Sequence, residues 1–485
     1  MRKWIPLAAI CLGAFMLLVD VSIVNVALPK MSTDLNSSFT SLQWVVDIYA
    51  LTLAALLMAL GSLGDRLGHR RLYLGGLVVF GLASLTCALA PDAATLIASR
   101  AAQGIGGAAM MTSTTALLNG AYQGRDRGTA FGVWGAVNGA ASAVGPVLGG
   151  LLTDQFGWRS IFMVNVPVAV LAVAMTLGYL KGGANAARGR LDLPGAASFT
   201  LFAGALTYGL IESGDKGWGS TTVLGSIGVG LLALVVFVLA ELRAGRTGQP
   251  LLDLGLLRNR TFLGLTLAGL LLTAAAFAQL TYTGLWLQQV LDLSPLDAGL
   301  AVCPLALAAF VVALISAKAF HRMAPQLPIG IGLLLIGTGT LLLALVSAGS
   351  SWTVLLPGLL LTGVGVGMST PLMMSTALAA VPRERAGMAS GALNTARQLG
   401  YALGIAVLGT IFQDRVRALT PHLAGKPDLH VPFAGGLDRI FLVAGCAGLV
   451  AGLLVLALVR RTPPPAWAAA ADGAPADRPV QAVKA

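Results

Sequence analysis

Polar and charged positions along this chain gather in short clusters separated by long apolar runs, and the first run, 5–28, is long enough to cross a bilayer. Breaking the chain at charges, prolines and polar clusters leaves fourteen runs near the roughly 20 residues that a helical span requires. They cover 5–28, 42–63, 72–90, 95–118, 129–152, 159–179, 191–213, 220–241, 261–285, 297–318, 327–347, 352–381, 389–412 and 438–459. The pattern predicts an all-α membrane protein. The first run follows Arg2 and Lys3 as a secretory leader would, but it is longer than a usual leader core and holds Asp20 near its middle, so it reads as a retained span. A charge at the centre of a spanning helix costs about 2.5–3.5 kcal/mol on insertion scales, so an acid kept there faces a partner or a water-filled path.

The loops fix an orientation. With the N-terminus in the cytoplasm, Arg66, Arg70, Arg71, Arg125, Arg127, Lys181, Arg188, Arg190, Arg243, Arg246, Arg258, Arg260, Lys318, Arg322, Arg383, Arg385, Arg460 and Arg461 fall inside. The opposite side keeps Lys30, Arg159, Lys216, Arg415, Arg417, Lys426 and Arg439, so the positive-inside rule places both termini in the cytoplasm. The segment after 461, rich in Pro and Ala, lacks the apolar periodicity of a folded element and is expected to be a disordered tail.

Composition narrows the class further. At 56% hydrophobic and 11% charged residues the chain lies far from a soluble balance, which argues against an enzyme. The net charge of +11 is scattered between apolar runs instead of being gathered on one face with aromatics, so nucleic acid is not the expected partner. Cys11, Cys87, Cys303 and Cys446 lie inside apolar runs without metal-ligand spacing and read as core packing. No phosphate-binding G-x-x-x-x-G-K-[ST] loop occurs, so ATP-driven transport, a cofactor and a metal are not expected.

A repeat divides the chain. GIGGAAMMTSTTALL, RDRGTAFG and GAASAVGPVLGG in runs four and five recur some 258 residues later as GVGVGMSTPLMMSTALA, RERAGMASG and LGYALGIAVLG in runs twelve and thirteen. Arg125 and Arg127 correspond to Arg383 and Arg385, and Gly104 and Gly145 to Gly363 and Gly404 with a slip of one residue. An even offset of eight spans preserves orientation, which makes this a parallel repeat. The expected organisation is a six-helix bundle over 1–180, two additional helices with a cytoplasmic linker over 181–260, a second six-helix bundle over 261–460 and the tail over 461–485.

Several motifs resemble those of the major facilitator superfamily, specifically its fourteen-helix drug:proton antiporters. The segment Gly61-Ser62-Leu63-Gly64-Asp65-Arg66-Leu67-Gly68-His69-Arg70-Arg71 is similar to the superfamily loop G-x-L-x-D-R-x-G-R-[KR]-x, with His69 in place of a frequent Arg. Leu18 to Pro29 is similar to the first-span motif of the fourteen-helix exporters. Arg100 with Gln103 and Gly104 resembles the proton-relay motif, and Gly145-Pro146 with Gly149-Gly150 resembles the antiporter motif. Trp158-Arg159 with Phe162, Asn165 and Pro167 fits as well. The resemblance implies a proton-coupled exporter of hydrophobic or cationic drugs, working as a monomer in the inner membrane on a small-molecule substrate, with the proton gradient as its energy source.

Physical roles can be assigned beside the resemblance. Gly61, Gly64 and Gly68 permit a tight turn, while Asp65, Arg66, Arg70 and Arg71 can hold helix ends or carboxylates in one conformation and release them in another. Topology alone is the competing reading for the arginines. Gly135, Gly139, Gly145, Gly149 and Gly150 offer a small surface for close helix approach, and Pro146 can kink the span. Asp20, Asp47 and Arg100 all lie roughly 8–12 Å below the outer surface by the helical rise, so one coupling cluster is expected. Asp20 is the expected proton carrier, with Asp47 adjusting its affinity or recognising a cation. The repeat-equivalent positions are Ala278, Leu305 and Gly358, so the chemistry is expected in the first half alone. Gln103, Phe277, Gln279, Tyr282 and Trp286 are candidate substrate surface, with core or lipid packing the competing reading for the aromatics. Arg397, about 12 Å inside span thirteen, either snorkels, caps backbone carbonyls or meets an anion. Nutrient uptake and a non-transporting sensor or scaffold remain the alternative functions.

Overall fold

Each of the fourteen apolar runs falls on helix in the computed structural model, which describes residues 2–122, 124–180, 192–247, 250–320, 323–382, 385–420 and 430–459. No strand occurs among the described residues. In chain order the helices are α1 Ile5–Leu35, α2 Phe39–Leu67, α3 His69–Ala88, α4 Ala93–Ala121, α5 Gly124–Phe156, α6 Ser160–Met163, α7 Asn165–Tyr179 and α8 Leu193–Lys216. They continue with α9 Thr221–Thr247, α10 Arg260–Ala276, α11 Leu280–Gln289, α12 Pro295–Ala319, α13 Gln326–Leu343, α14 Leu356–Ala379, α15 Ala386–Leu419 and α16 His430–Leu458. The sixth run is α6 with α7, and the ninth is α10 with α11. The expected tail lies outside the described residues.

Local chemistry explains many of the ends. Ser38 caps α2 by accepting from the Ser41 amide, and Ser294 caps α12 by accepting from Asp297. Gly68, at φ 88, joins α2 to α3 without an intervening loop, a backbone conformation an L side chain resists. In α5 the chain bends by 41° between Ala141 and Val144. Pro146 lies just beyond, and its ring removes a backbone donor and crowds the carbonyl of residue 142.

Among the described residues, eleven helical segments are long and apolar enough to cross a membrane, or twelve if bent α5 is one span. The count of fourteen is not reached by this measure, and the two runs left out are α4 and α15, which carry polar groups within the span, buried Arg100 and Gln103 in the first and half-buried Arg397 in the second. The protein is an integral membrane protein that crosses the bilayer many times.

Helix pairing follows the repeat. α1 packs on α5 as α10 packs on α15, and α3 and α2 flank α4 as α13 and α12 flank α14. Glycines set these contacts at equivalent places. A Cβ added at Gly106 would stand 2.6 Å from the Phe80 nitrogen of α3, and one at Gly365 would stand 2.8 Å from Ile336 of α13. Gly104 backs onto Tyr49 and Thr52 of α2, Gly363 onto Leu305 and Ala308 of α12. Two further contacts, α5 with α12 and α2 with α15, join the repeats to each other, and α8 of the α8–α9 hairpin leans on both α2 and α15.

Two expectations on small residues change. Gly135 has open space at its Cβ, so the close approach of α5 begins only at Gly139, which faces Phe310. Of the four cysteines, Cys11 and Cys87 are buried, but Cys303 is partly exposed and Cys446 is exposed on an apolar helix face. Apolar flanks alone do not separate a core position from one turned toward lipid.

Candidate functional site

The charged centre is built from α1, α4 and α7. Asp20 and Arg100 are almost wholly buried and form an ion pair at 2.6 Å. Gln103 Nε2 and Asn165 Nδ2 donate to the other Asp20 oxygen at 2.8 and 3.0 Å. Arg100 also donates to Gln103 Oε1 at 2.6 Å and, through Nε, to the Val45 carbonyl at 3.1 Å. Its guanidinium stacks 4.2 Å from the Tyr49 ring centroid. Ser84 of α3 closes the network by accepting from Gln103 at 2.9 Å. The three-residue spacing of Arg100 and Gln103 puts both on one face of α4, as the i, i+3 relation requires.

Of the three charges that helical rise sets at one depth, Asp20 and Arg100 meet, and Asp47 does not join their hydrogen-bond network. Asp47 is fully buried, and neither carboxylate oxygen has a hydrogen-bond partner. It belongs to the other side of α2, within electrostatic reach of the Tyr282 and Tyr401 phenols. Helical rise sets height in the membrane, whereas azimuth depends on which neighbour each face meets. Gln103, a candidate for substrate contact, is spent within the charged network. Asn165 is a member of the site that sequence reasoning noted only as part of a motif; an amide in an apolar run at the start of a helix was the available signal.

A seal lies at the end of the bundle where α1 finishes and α2 begins. Gln43 donates to the Tyr282 hydroxyl at 3.1 Å, and Tyr282 donates to the Ile405 carbonyl at 2.5 Å. Phe39, Tyr282, Phe412 and Phe433 form a continuous ring cluster with centroid spacings of 5.2–6.0 Å. Asn25 bridges Tyr401 and Thr281 at 3.3 and 3.1 Å. Gln288 donates to the Val26 carbonyl at 2.7 Å. Of the candidate substrate residues, Tyr282 is thus part of the seal. Phe277 and Gln279 sit at the break between α10 and α11, where the Gln279 amide is held by Ala276 and Thr283. On the α5 side, a Cβ at Gly145 would strike Ser22 and one at Gly149 would stand 2.7 Å from Ile23. A Cβ at Gly150 would stand 2.5 Å from Leu296 of α12, and Gly299 abuts the Pro146 carbonyl.

The 61–71 segment lies at the opposite end. Arg70 donates to the Leu177 carbonyl at 3.0 Å, tying α3 to the end of α7. Arg66 is half-buried, and Arg71 is exposed. His69 packs where a Cβ at Gly64 would fall, 2.6 Å from its Nδ1. Gly61 is less constrained, with only the Thr112 methyl at 3.9 Å. The side chain of Asp65 lies outside the described residues, as do those of Arg125, Arg127 and Arg383.

Comparison with known proteins agrees with this geometry. Residues 10–405 match the profile of the Major Facilitator Superfamily. The chain is 37% identical to the multidrug resistance protein Stp of Mycobacterium tuberculosis, over 86% of this chain and 78% of that protein. It is 33% identical to the methylenomycin A resistance protein of Streptomyces coelicolor, covering 94% and 92%. It is also 32% identical to the riboflavin transporter RibZ of Clostridioides difficile, covering 85% and 88%. The crystal structure of the human organic anion transporter MFSD10 superposes with a TM-score of 0.61 at 16% identity, covering 93% of this chain and 99% of that one. The chain belongs to the Major Facilitator Superfamily, as a transporter whose homologues include multidrug and antibiotic resistance efflux proteins.

Proposed function

We propose that the protein is a proton-coupled antiporter that exports hydrophobic or cationic drugs and antibiotics across the bacterial plasma membrane as a monomer. The observation that carries this reading is the Asp20–Arg100 pair, buried with three donors on the carboxylate and without an evident stabilising purpose that apolar packing would not serve better. Multidrug and antibiotic resistance relatives support the substrate class. In this reading the chain crosses the bilayer fourteen times, two six-helix bundles flank the α8–α9 hairpin, and both termini are cytoplasmic. The seal at Tyr282 then closes the outer side, and the state is inward-facing.

Charge counting explains the coupling. With Asp20 and Asp47 both ionised, these two acids and Arg100 carry one net negative charge, and a cation gains from it in a low-dielectric site. A proton on Asp20 cancels that charge, frees Arg100 from its partner and releases the cation outward; loss of the proton to the cytoplasm resets the site. The 61–71 loop biases one state at the inner side, and the glycines of α5 keep the closed interface tight to protons.

The test is pH-gradient-driven drug transport in proteoliposomes with matched protein amounts. Asp20→Asn is expected to abolish gradient-driven transport, while Asp47→Asn changes preference among cations more than coupling. Full coupling in Asp20→Asn with loss in Asp47→Asn reverses the two roles, and coupling retained in both moves the proton site elsewhere. The riboflavin transporter among the relatives favours a second reading, import of a small nutrient, and the direction of flux separates the two.

A further inference from the structure

Arg397 is the deep charge that the coupling network does not use. It belongs to α15, where its Cγ lies 3.2 Å from the Cβ position of Gly269 and its carbonyl accepts from Thr273 at 2.6 Å, so α10 flanks it on one side. It takes part in none of the ion pairs found among the described residues. It is only half-buried, and the neighbours that flank it on α10 are Gly269 and Thr273.

The wheel of α15 shows where it faces. Gly391, Ile405 and Gly409 meet α2, and Gly400 and Gly404 meet α10. Tyr401 lies between these two faces and reaches α1 through Asn25. Arg397 precedes Tyr401 by one helical turn, so it shares that inward-looking face about 6 Å beyond the seal, where the chain is not closed by the Gln43–Tyr282 contacts.

Asp47 looks at the same space from the other wall. α2 and α15 run antiparallel, with Gln43 at Ile405 and Met58 at Gly391 setting their register. Interpolated between those contacts, Arg397 stands opposite Leu51 and Thr52, about 7 Å further from the seal than Asp47. The first repeat thus presents a buried acid with both oxygens unpartnered, and the second presents a cation with no ion-pair partner. They form no ion pair with each other in this state, and an offset of about 7 Å is one that a single small molecule can bridge.

Resting on the exporter reading above, we infer that Asp47 and Arg397 are the two poles of one substrate site, which takes amphoteric compounds with a cationic group toward the seal and a carboxylate or phenolate toward the cytoplasmic end. A purely cationic compound satisfies Asp47 and leaves Arg397 unmatched. A zwitterion satisfies both, and it fills the site with no net charge change. This ligand class differs from the apolar cations assigned from sequence.

Rhodamine 110, a cationic xanthene with a free benzoate, and its methyl ester rhodamine 123 differ in that one charge. Export of both dyes is measured from everted vesicles or proteoliposomes bearing the full chain, at matched protein. The wild type is expected to move both, and Arg397→Gln to lower the rhodamine 110 to rhodamine 123 rate ratio at least tenfold. Arg397→Lys keeps the charge and holds the ratio within threefold of wild type; Asp47→Asn raises it. A ratio unchanged in Arg397→Gln, whether both rates survive or fall together, overturns the proposal, because a structural arginine affects both dyes alike. Wild-type export of rhodamine 123 alone overturns it too. Asp20→Asn in the same assay reports separately on the exporter reading: dye export that ignores the pH gradient breaks that reading while leaving the dye ratio, and the two-pole site, standing.

Discussion

The two repeats share a packing frame and differ in chemistry. Gly145 of α5 presses on Val19 and Ser22 of α1, and Gly404 of α15 presses on Ala274 and Ala278 beside the α10 break. Where the first repeat holds Asp20, the second holds fully buried Ala278; where the first has Asp47 and Arg100, the second has Leu305 and Gly358. Helix contacts of this kind depend on small residues and backbone approach, which hold whichever polar groups line the interior. A duplicated frame can therefore lose charge from one copy without losing shape. The asymmetry leaves the first repeat with the buried Asp20–Arg100 network and the second with neutral surface around the deep cation Arg397.

If the frame is common to both repeats, Gly145→Leu and Gly404→Leu should be about equally severe. Each forces a branched side chain into a space where a single Cβ already collides, and overpacking of a tight contact costs on the order of 1–3 kcal/mol or more. Transport in both is expected to fall at least tenfold, or the protein to lose monodisperse behaviour in detergent. Tolerance at Gly404 with loss at Gly145 would mean that α5 has a sealing duty its counterpart lacks.

The chemical difference is sharpened by Arg100→Leu. Removing one partner of a buried pair typically costs about 3–5 kcal/mol, because the other charge stays behind unpaired. The variant should be strongly destabilised in thermal unfolding, and adding Asp20→Asn should recover part of the loss by removing the stranded carboxylate. The second repeat offers no such charge at Gly358, the counterpart of Arg100, or at Leu305, the counterpart of Asp47, so Leu305→Ala should cost only its packing, about 2–5 kcal/mol. No recovery in the double variant would show that the loss does not come from the stranded Asp20 charge.

Asn165→Ala is a smaller change in the same network. Gln103 still donates to the Asp20 oxygen that Asn165 shares, so the ion pair survives with one donor fewer. Hydrogen bonds to charged groups contribute about 1.5–3 kcal/mol. The expected outcome is a shift of the pH profile of transport with a loss of three- to tenfold at its optimum, and Asn165→Asp should be worse because it sets a second acid against the first. A uniform loss at every pH would assign Asn165 to packing.

The frame was legible in the sequence because apolar run length and glycine spacing are local quantities. The helical runs, the repeat and the Asp20–Arg100 pair all follow from counting residues. Positions decided by azimuth or by a break in a helix did not follow. Asp47 shares the depth of Asp20 and yet faces α15, and Phe277–Gln279 interrupts what reads as one apolar run. Glu241 marks a third kind of omission. It stands near the end of α9, where it is buried beside Asp192 and accepts from the Leu252 amide, joining the α8–α9 hairpin to the linker that follows. Burial of that acid depends on where a loop returns, which no periodicity encodes.

The smallest effect concerns how the two repeats begin their fourth helices. α4, which carries Arg100 and Gln103, is capped by Asp92, whose carboxylate accepts from the Thr95 amide at 2.7 Å. α14, its counterpart, begins after a short 3-10 turn with no side-chain cap. The hydrogen bond from the Thr95 backbone, and then that from its side chain, hold the Asp92 carboxyl below its ordinary range. A group whose folded value is depressed contributes stability that is complete above its unfolded value, near 3.8, and is lost as the pH falls through the lower folded value. Acidification below about pH 4 should therefore loosen the first turn of α4 and leave the first turn of α14 unchanged. Hydrogen exchange corrected for intrinsic rates checks this, with faster opening expected for the amides of 95–97 at pH 3 than at pH 6 and no matching change at 358–360. Asp92→Asn retains an accepting oxygen and should remove most of the pH dependence while keeping the turn formed; equal sensitivity at both helix starts would show that acid acts on the bundle as a whole and not on this cap.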